Sequence, residues 1–154
     1  MPRKKSVNKD TVETVANTTF EVLPLLRKKL LCMDVVQAEH NMPMSQVQML
    51  AMLGENGALS VSEISKRLGI AKPNITPLID RLIDEGFVER RRDENDRRVV
   101  NVVLLPAGEE KLTSIRETIV RQVMRWTGTI PEKEFFELEH ALQTISTVLE
   151  SAQI

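Results

Sequence analysis

From Asp10 onward apolar positions recur at intervals of three and four, at Val12, Val15, Val22, Leu23, Leu26 and Leu30, with Thr19 and Met33 or Asp34 in the same series. This spacing predicts one long helix with a single apolar face, and Pro24 inside it predicts a kink. Such a helix carries more apolar surface than a small lobe can cover, so the face is expected to cross a partner subunit. Met42-Pro43-Met44 closes the element. Ser45 and Gln48 then stand at capping-box spacing before a helix whose inner face is Met49, Leu50 and Leu53, ending at Asn56-Gly57.

Ser60-Val61-Ser62-Glu63 repeats the capping box. Ile64 and Leu68 face inward, and Gly69 is placed for the left-handed residue that ends a helix. A second short helix follows, with Ile75, Leu78, Ile79 and Leu82 as its apolar stripe. Helix, glycine turn and helix make a helix-turn-helix. With that stripe inward, steps of about 100° per residue turn Pro73, Thr76, Pro77, Asp80 and Asp84 outward and put Asn74 and Arg81 on the flanks. Pro77 lacks an N–H and disfavours helical geometry at Thr76, which predicts an irregularity there.

Gly86 ends the second helix, and Phe87-Val88 opens a strand whose return is Val99, Val100, Val102 and Val103. The loop from Asp93 to Arg97 is too long for a tight turn. Around it Arg90, Arg91, Arg92, Arg97 and Arg98 outnumber Asp93, Glu94 and Asp96 by five to three, a local surplus of +2. Charge on a hairpin edge also protects it from aggregation. Directly behind a helix-turn-helix, an arginine-tipped hairpin has the order of parts of a winged reader of duplex DNA. The first turn of its second helix, Lys72 to Thr76, is the end that reaches base edges, where asparagine matches adenine and lysine matches guanine or phosphate. After Pro106-Ala107-Gly108 two further helical stripes follow: Leu112, Ile115, Ile119, Val123 and Met124, then Phe135, Leu138, Leu142, Ile145, Val148 and Leu149.

Composition narrows the classes. At 154 residues, 42% apolar and 28% charged, the chain can bury a core without disulfides or metal. Its net charge of −1 means that affinity for a polyanion must come from local clustering. With four Phe, one Trp and no Tyr, it lacks the exposed rings on which single-strand binders stack bases. The lone Cys32 fits a reducing compartment, no apolar run reaches the roughly 18 residues of a membrane span, and no apolar signal core follows Arg3-Lys4-Lys5. A cytoplasmic protein without membrane contact is expected, with residues 1–9 as a loose polar arm.

The run Ile75-Thr76-Pro77-Leu78-Ile79-Asp80-Arg81-Leu82, then Gly86-Phe87-Val88-Glu89-Arg90, Asp96-Arg97-Arg98 and Leu104-Leu105-Pro106-Ala107-Gly108, resembles the MarR family of transcriptional regulators. The resemblance covers nearly the whole chain. It implies a mainly α fold with a small β wing, a single domain over 1–154. Its winged helix-turn-helix lobe would be 44–105, between N- and C-terminal dimerisation helices at 10–40 and 106–151. It implies an obligate homodimer on a pseudo-palindromic duplex DNA operator. By resemblance, the DNA-binding positions are Lys72, Pro73, Asn74, Thr76 and Pro77, with Asp96 orienting Arg98 by an ion pair while Arg98 enters the minor groove; Arg81 and Arg97 join the expected interface from the flank and the wing. Two positions depart from the family pattern: Pro77 stands where a polar or basic residue is common, and Leu105 replaces a threonine whose capping is typically worth about 0.5 to 2 kcal/mol.

The resemblance also implies a small aromatic or lipophilic effector in a cleft between the dimer helices and the lobe. Met33, Met42, Met44 and Met52 are the adaptable side chains expected near it, against the plainer reading of methionines as core. Cys32 has Arg27, Lys28 and Lys29 near it in sequence, which could activate a thiol, but a buried inert thiol is the preferred reading. Cys32, Glu39 and His40 do not complete ordinary metal-ligand spacing, and neither histidine sits in an acid–base or nucleophile pattern. No cofactor, metal or enzymatic activity is expected. The rival readings are a redox- or metal-responsive sensor of the same fold, separable by metal analysis and thiol labelling, and a protein-interaction module that never touches DNA, separable by duplex binding.

Overall fold

The computed structural model describes residues 7–152; the basic start at Arg3, Lys4 and Lys5, read above as part of a loose arm, lies outside the described residues. Helix α1 (Lys9–Lys29) is capped by Asn8, whose side chain accepts the Asp10 N–H. The one kinked helix expected over 10–40 is two. Pro24 stays inside α1, and the break falls later, where the Leu26 carbonyl accepts both the Leu30 and Leu31 N–H groups. Arg27, Lys28 and Lys29 load the last turn of α1 with positive charge, which favours a helix end there. Cys32 then takes left-handed backbone at φ 47° and starts α2 (Met33–His40), which ends at Asn41 with φ 50°. Val36 is buried and pins α2 to the core.

Helix α3 (Met44–Asn56) begins one residue before the expected box, with Pro43 as its cap, so Ser45 lies within the first turn and makes no side-chain cap. Strand β1 (Leu59–Ser60) leads into α4 (Val61–Leu68), and here the box does form: the Ser60 side chain accepts the Glu63 N–H while the Glu63 carboxylate takes the Ser60 N–H at 2.8 Å. The Ser60 hydroxyl, which donates to the same carboxylate at 2.7 Å, and then the Ser60 N–H hold the Glu63 carboxyl below the usual glutamate range. Ser60→Ala should lower stability by about 1 kcal/mol, read as an earlier midpoint in urea; an unchanged midpoint would remove the cap from the account.

Helix α5 (Lys72–Asp84) follows, then strands β2 (Val88–Arg92) and β3 (Val100–Leu104), α6 (Pro106–Thr127) and α7 (Glu132–Ser151). The sheet has order β1-β3-β2 and is antiparallel throughout, with Leu59 opposite Val102 and Arg90 opposite Val102 on the other side. The core gathers Leu50, Leu53, Ile64, Ile75, Ile79, Leu82, Val88 and Val102 from five helices' and strands' worth of sequence, with Leu112 and Ile115 of α6 closing it. Gly108 in α6 is buried directly against the Phe87 carbonyl.

By its contacts the chain divides within α6 into one unit up to Ile119 and another from Val120. In the second unit Trp126 and Phe135 meet edge to face at 5.9 Å across the turn into α7. Neither α1 nor α7 has a buried residue among those described, although Phe20, Val15, Phe136 and Leu149 are large and apolar. No helix among the described residues is long and apolar enough to cross a membrane.

Candidate nucleic-acid interface

The turn between α4 and α5 is built by Gly69, left-handed at φ 65°, and by Ser65, whose hydroxyl donates to the Ile70 carbonyl at 2.6 Å while its own carbonyl accepts the Ile70 N–H. These bonds fix the direction in which α5 leaves. Ile75, Ile79 and Leu82 are fully buried. That anchoring leaves Lys72, Pro73, Asn74, Thr76, Pro77 and Arg81 all exposed on the opposite side. The irregularity expected at Thr76 is absent: α5 runs through Pro77 as one helix, and the Thr76 hydroxyl faces back to the Lys72 carbonyl at 3.4 Å. Pro73, at the second position of α5, removes only an N–H that has no acceptor one turn back, whereas Pro77 lies inside the helix and lacks an N–H that would have one.

Charge on the later half of α5 is taken up locally. Asp80, expected to point outward, is half-buried and pairs with Arg90 of β2 at 2.7 Å. Arg81 pairs with Glu85 at 3.3 Å. On the wing Arg91 pairs with Glu89. Arg92, Arg97 and Arg98 remain exposed at the tip, with no carboxylate partner among the described residues.

The wing tip is organised by a residue the sequence reading did not single out. The Asp93 carboxylate accepts the N–H groups of Asn95 at 2.9 Å and Asp96 at 3.0 Å, and the side-chain amide of Asn101 at 3.0 Å. The Asp96 N–H, then that of Asn95, hold its carboxyl below the ordinary aspartate range. Aspartate followed by N–H groups two and three residues on is an Asx-type turn, and Asp93-Glu94-Asn95-Asp96 carried that signal. The expected Asp96–Arg98 ion pair does not form: Asp96 instead accepts the Arg98 backbone N–H at 3.0 Å, because a carboxylate two residues back reaches the amide more easily than the guanidinium. A lowered carboxyl value means that Asp93's contribution is complete above the ordinary aspartate value and is lost as pH falls through the lowered one. Asp93→Ala should therefore speed hydrogen exchange at the Asn95 and Asp96 amides several-fold at neutral pH, and unchanged exchange would deny Asp93 this role.

The four methionines expected near an effector cleft differ in their settings. Met42 is fully buried in the core, and Met44 and Met52 pack against it, since an unbranched thioether fills core gaps as readily as it lines a pocket. Met33 alone lines an open depression, of about 390 Å³, with Leu23, Pro24, Arg27, Lys28 and Asp34. Cys32 is a buried free thiol, its Sγ 3.4 Å from the Lys29 carbonyl, and burial pushes its pKa up. Glu39 and His40 both meet the Thr118 hydroxyl, at 3.0 and 2.9 Å. Among the described residues no group of three or more His, Cys, Asp or Glu is placed to hold a metal.

The family model described as MarR family matches residues 42–100, the stretch from Met42 to the start of β3. The chain is 32% identical over 113 residues to the HTH-type transcriptional regulator YfiV of Bacillus subtilis, covering 73% of this chain and 71% of that protein. It is 26% identical over 107 residues to the HTH-type transcriptional repressor MdtR of the same organism, covering 70% and 69%. A solved MarR family protein from Bacillus stearothermophilus shares the fold with a TM-score of 0.75 at 24% identity, over 95% of this chain and all of that one. An α4–α5 pair, a three-stranded wing and this agreement along most of the sequence lead to one conclusion: the chain belongs to the MarR family of transcriptional regulators.

Proposed function

We propose that this protein is a cytoplasmic repressor that occupies a pseudo-palindromic operator as a homodimer, with α5 in the major groove and the wing beside it. The observation that carries the reading is the shared exposure of the first turns of α5 and of the unpaired Arg92, Arg97 and Arg98. Lys72, Pro73, Asn74, Thr76 and Pro77 face the bases, Arg81 and Arg97 the backbone, and Arg98 the minor groove, where a narrow groove concentrates negative potential. Asp96 serves this by bonding the Arg98 backbone.

Val15 and Phe20 of α1 and Phe136 and Leu149 of α7, all large, apolar and exposed, support the dimer. In this division of labour residues 44–105 form the DNA-binding lobe, and 10–40 with 106–151 supply the dimer helices. Two-fold symmetry then puts the half-sites about one helical turn apart. Release by a small aromatic or lipophilic effector is part of the proposal; the depression beside Arg27, Lys28 and Met33 supports such a seat better than the buried Met42 does.

Selection of bound sequences from a random duplex pool tests the reading. The expected outcome is a palindromic consensus, together with salt-sensitive association even with unselected duplex. A protein that shows no salt-sensitive retention of any duplex is an interaction module instead, and a consensus without symmetry would remove the dimeric arrangement.

A further inference from the structure

We propose that the outer face of α5 reads thymine methyl groups, so that each half-site presents at least one A·T pair, methyl outward, to Pro73, Thr76 and Pro77. The inference rests on the DNA-binding reading above and adds the chemistry of the bases that are read.

Positions 73, 76 and 77 are spaced three and four apart, so they form one patch on the helix surface. All three are exposed and belong to no part of the core. A proline in a helix interior is the least favourable residue for that helix, and no buried contact explains Pro77, so its use lies outside the fold. The patch has little to offer a polar base edge. Neither proline has an N–H, and the Thr76 hydroxyl is directed at the Lys72 carbonyl of its own helix.

The charged groups farther along α5 do not compensate. Asp80 is held by Arg90 at 2.7 Å and Arg81 by Glu85 at 3.3 Å. What remains beside the patch is Lys72 and Asn74. Among the base edges of the major groove only thymine carries a methyl group, whereas a G·C pair shows polar atoms alone. Covering a G·C edge with this patch would strip water from acceptors and donors and return no bond to them. Asn74 adds a second pointer in the same direction, since a side-chain amide matches the N6 and N7 of adenine, the partner of thymine.

The test uses the duplex returned by the selection above, synthesised once with thymine and once with deoxyuridine at the half-site positions. Pairing is retained and only the methyl groups are lost. A covered methyl is worth roughly a three- to fourfold change in affinity, so two half-sites should give a preference for thymine on the order of tenfold. Thr76→Ser with Pro77→Ala, both at exposed positions, should bring the ratio of affinities for the thymine and deoxyuridine duplexes close to one, whatever the change in affinity common to both. Equal affinity of the unaltered protein for the two duplexes overturns the inference and leaves DNA binding standing. So does a thymine preference that survives the double substitution, or a consensus whose α5-facing positions are all G·C. Failure to bind either duplex overturns the DNA reading itself.

Discussion

Gly108→Ala is expected to destabilise the protein by roughly 3 kcal/mol or more, beyond the usual cost of an added methyl in a packed core. A Cβ at this position would lie 2.3 Å from the Phe87 carbonyl oxygen and 2.6 Å from Leu104 Cδ1. The leucine can rotate, but the carbonyl cannot withdraw freely, because it accepts the Leu105 N–H at 2.9 Å where β3 passes into α6. Relief of the clash therefore breaks the bond that seats α6 against the base of the wing. For a chain of this size the loss corresponds to a melting temperature lower by about 6 to 12 °C, measurable by calorimetry. A variant that melts within about 2 °C of the parent would show that the contact between α6 and the Phe87 carbonyl is loose. Leu104→Ala in the same chain should not restore stability, since the backbone contact is untouched by it.

Replacing Arg92, Arg97 and Arg98 together by alanine should weaken duplex binding on the order of a hundredfold per wing at physiological salt, and, with both wings of the proposed dimer altered, make the salt dependence shallower by roughly five units. These arginines have no carboxylate partner among the described residues, so their full charge faces outward. Arg90 and Arg91 are already neutralised by Asp80 and Glu89, and Arg91→Ala should leave the slope nearly unchanged. Fluorescence anisotropy over a salt series measures both quantities. If the triple variant kept the parent slope, the wing would have no part in contacting the duplex. Arg98→Ala alone, which alters both wings of the proposed dimer, should remove about two units of slope and weaken operator and mismatched duplex alike.

Much of this interface was legible in the sequence because one buried stripe determines it. Ile75, Ile79 and Leu82 are fully buried, and helical geometry then turns Lys72, Pro73, Asn74, Thr76, Pro77 and Arg81 to solvent without further information. The returning wing strand β3 was legible from its β-branched valines, Val100, Val102 and Val103. The end of α1 was not, because Cys32 adopts left-handed backbone with no glycine to mark it. Strand β1 escaped notice because two residues carry no periodicity; Leu59 is strand only through its pairing with Val102, far along the chain. Methionine was ambiguous by nature, and Met42 went to the core. At the wing tip, resemblance pointed to Asp96 while the bonds converge on Asp93. Opposite charges two residues apart suggest an ion pair, but the backbone amide between them is the nearer donor.

Arg92, Arg97 and Arg98, without carboxylate partners among the described residues, concentrate positive charge at the wing tip of a chain whose net charge is −1. Near a polyanion such a body feels a torque before it feels contact, and it rotates tip-first. Approaches that lead with the acidic remainder are repelled, so encounters are sorted by orientation at a distance set by the Debye length, about 8 Å in physiological salt. Association should consequently slow as added electrolyte shortens that reach, even where the docked complex itself is unaltered.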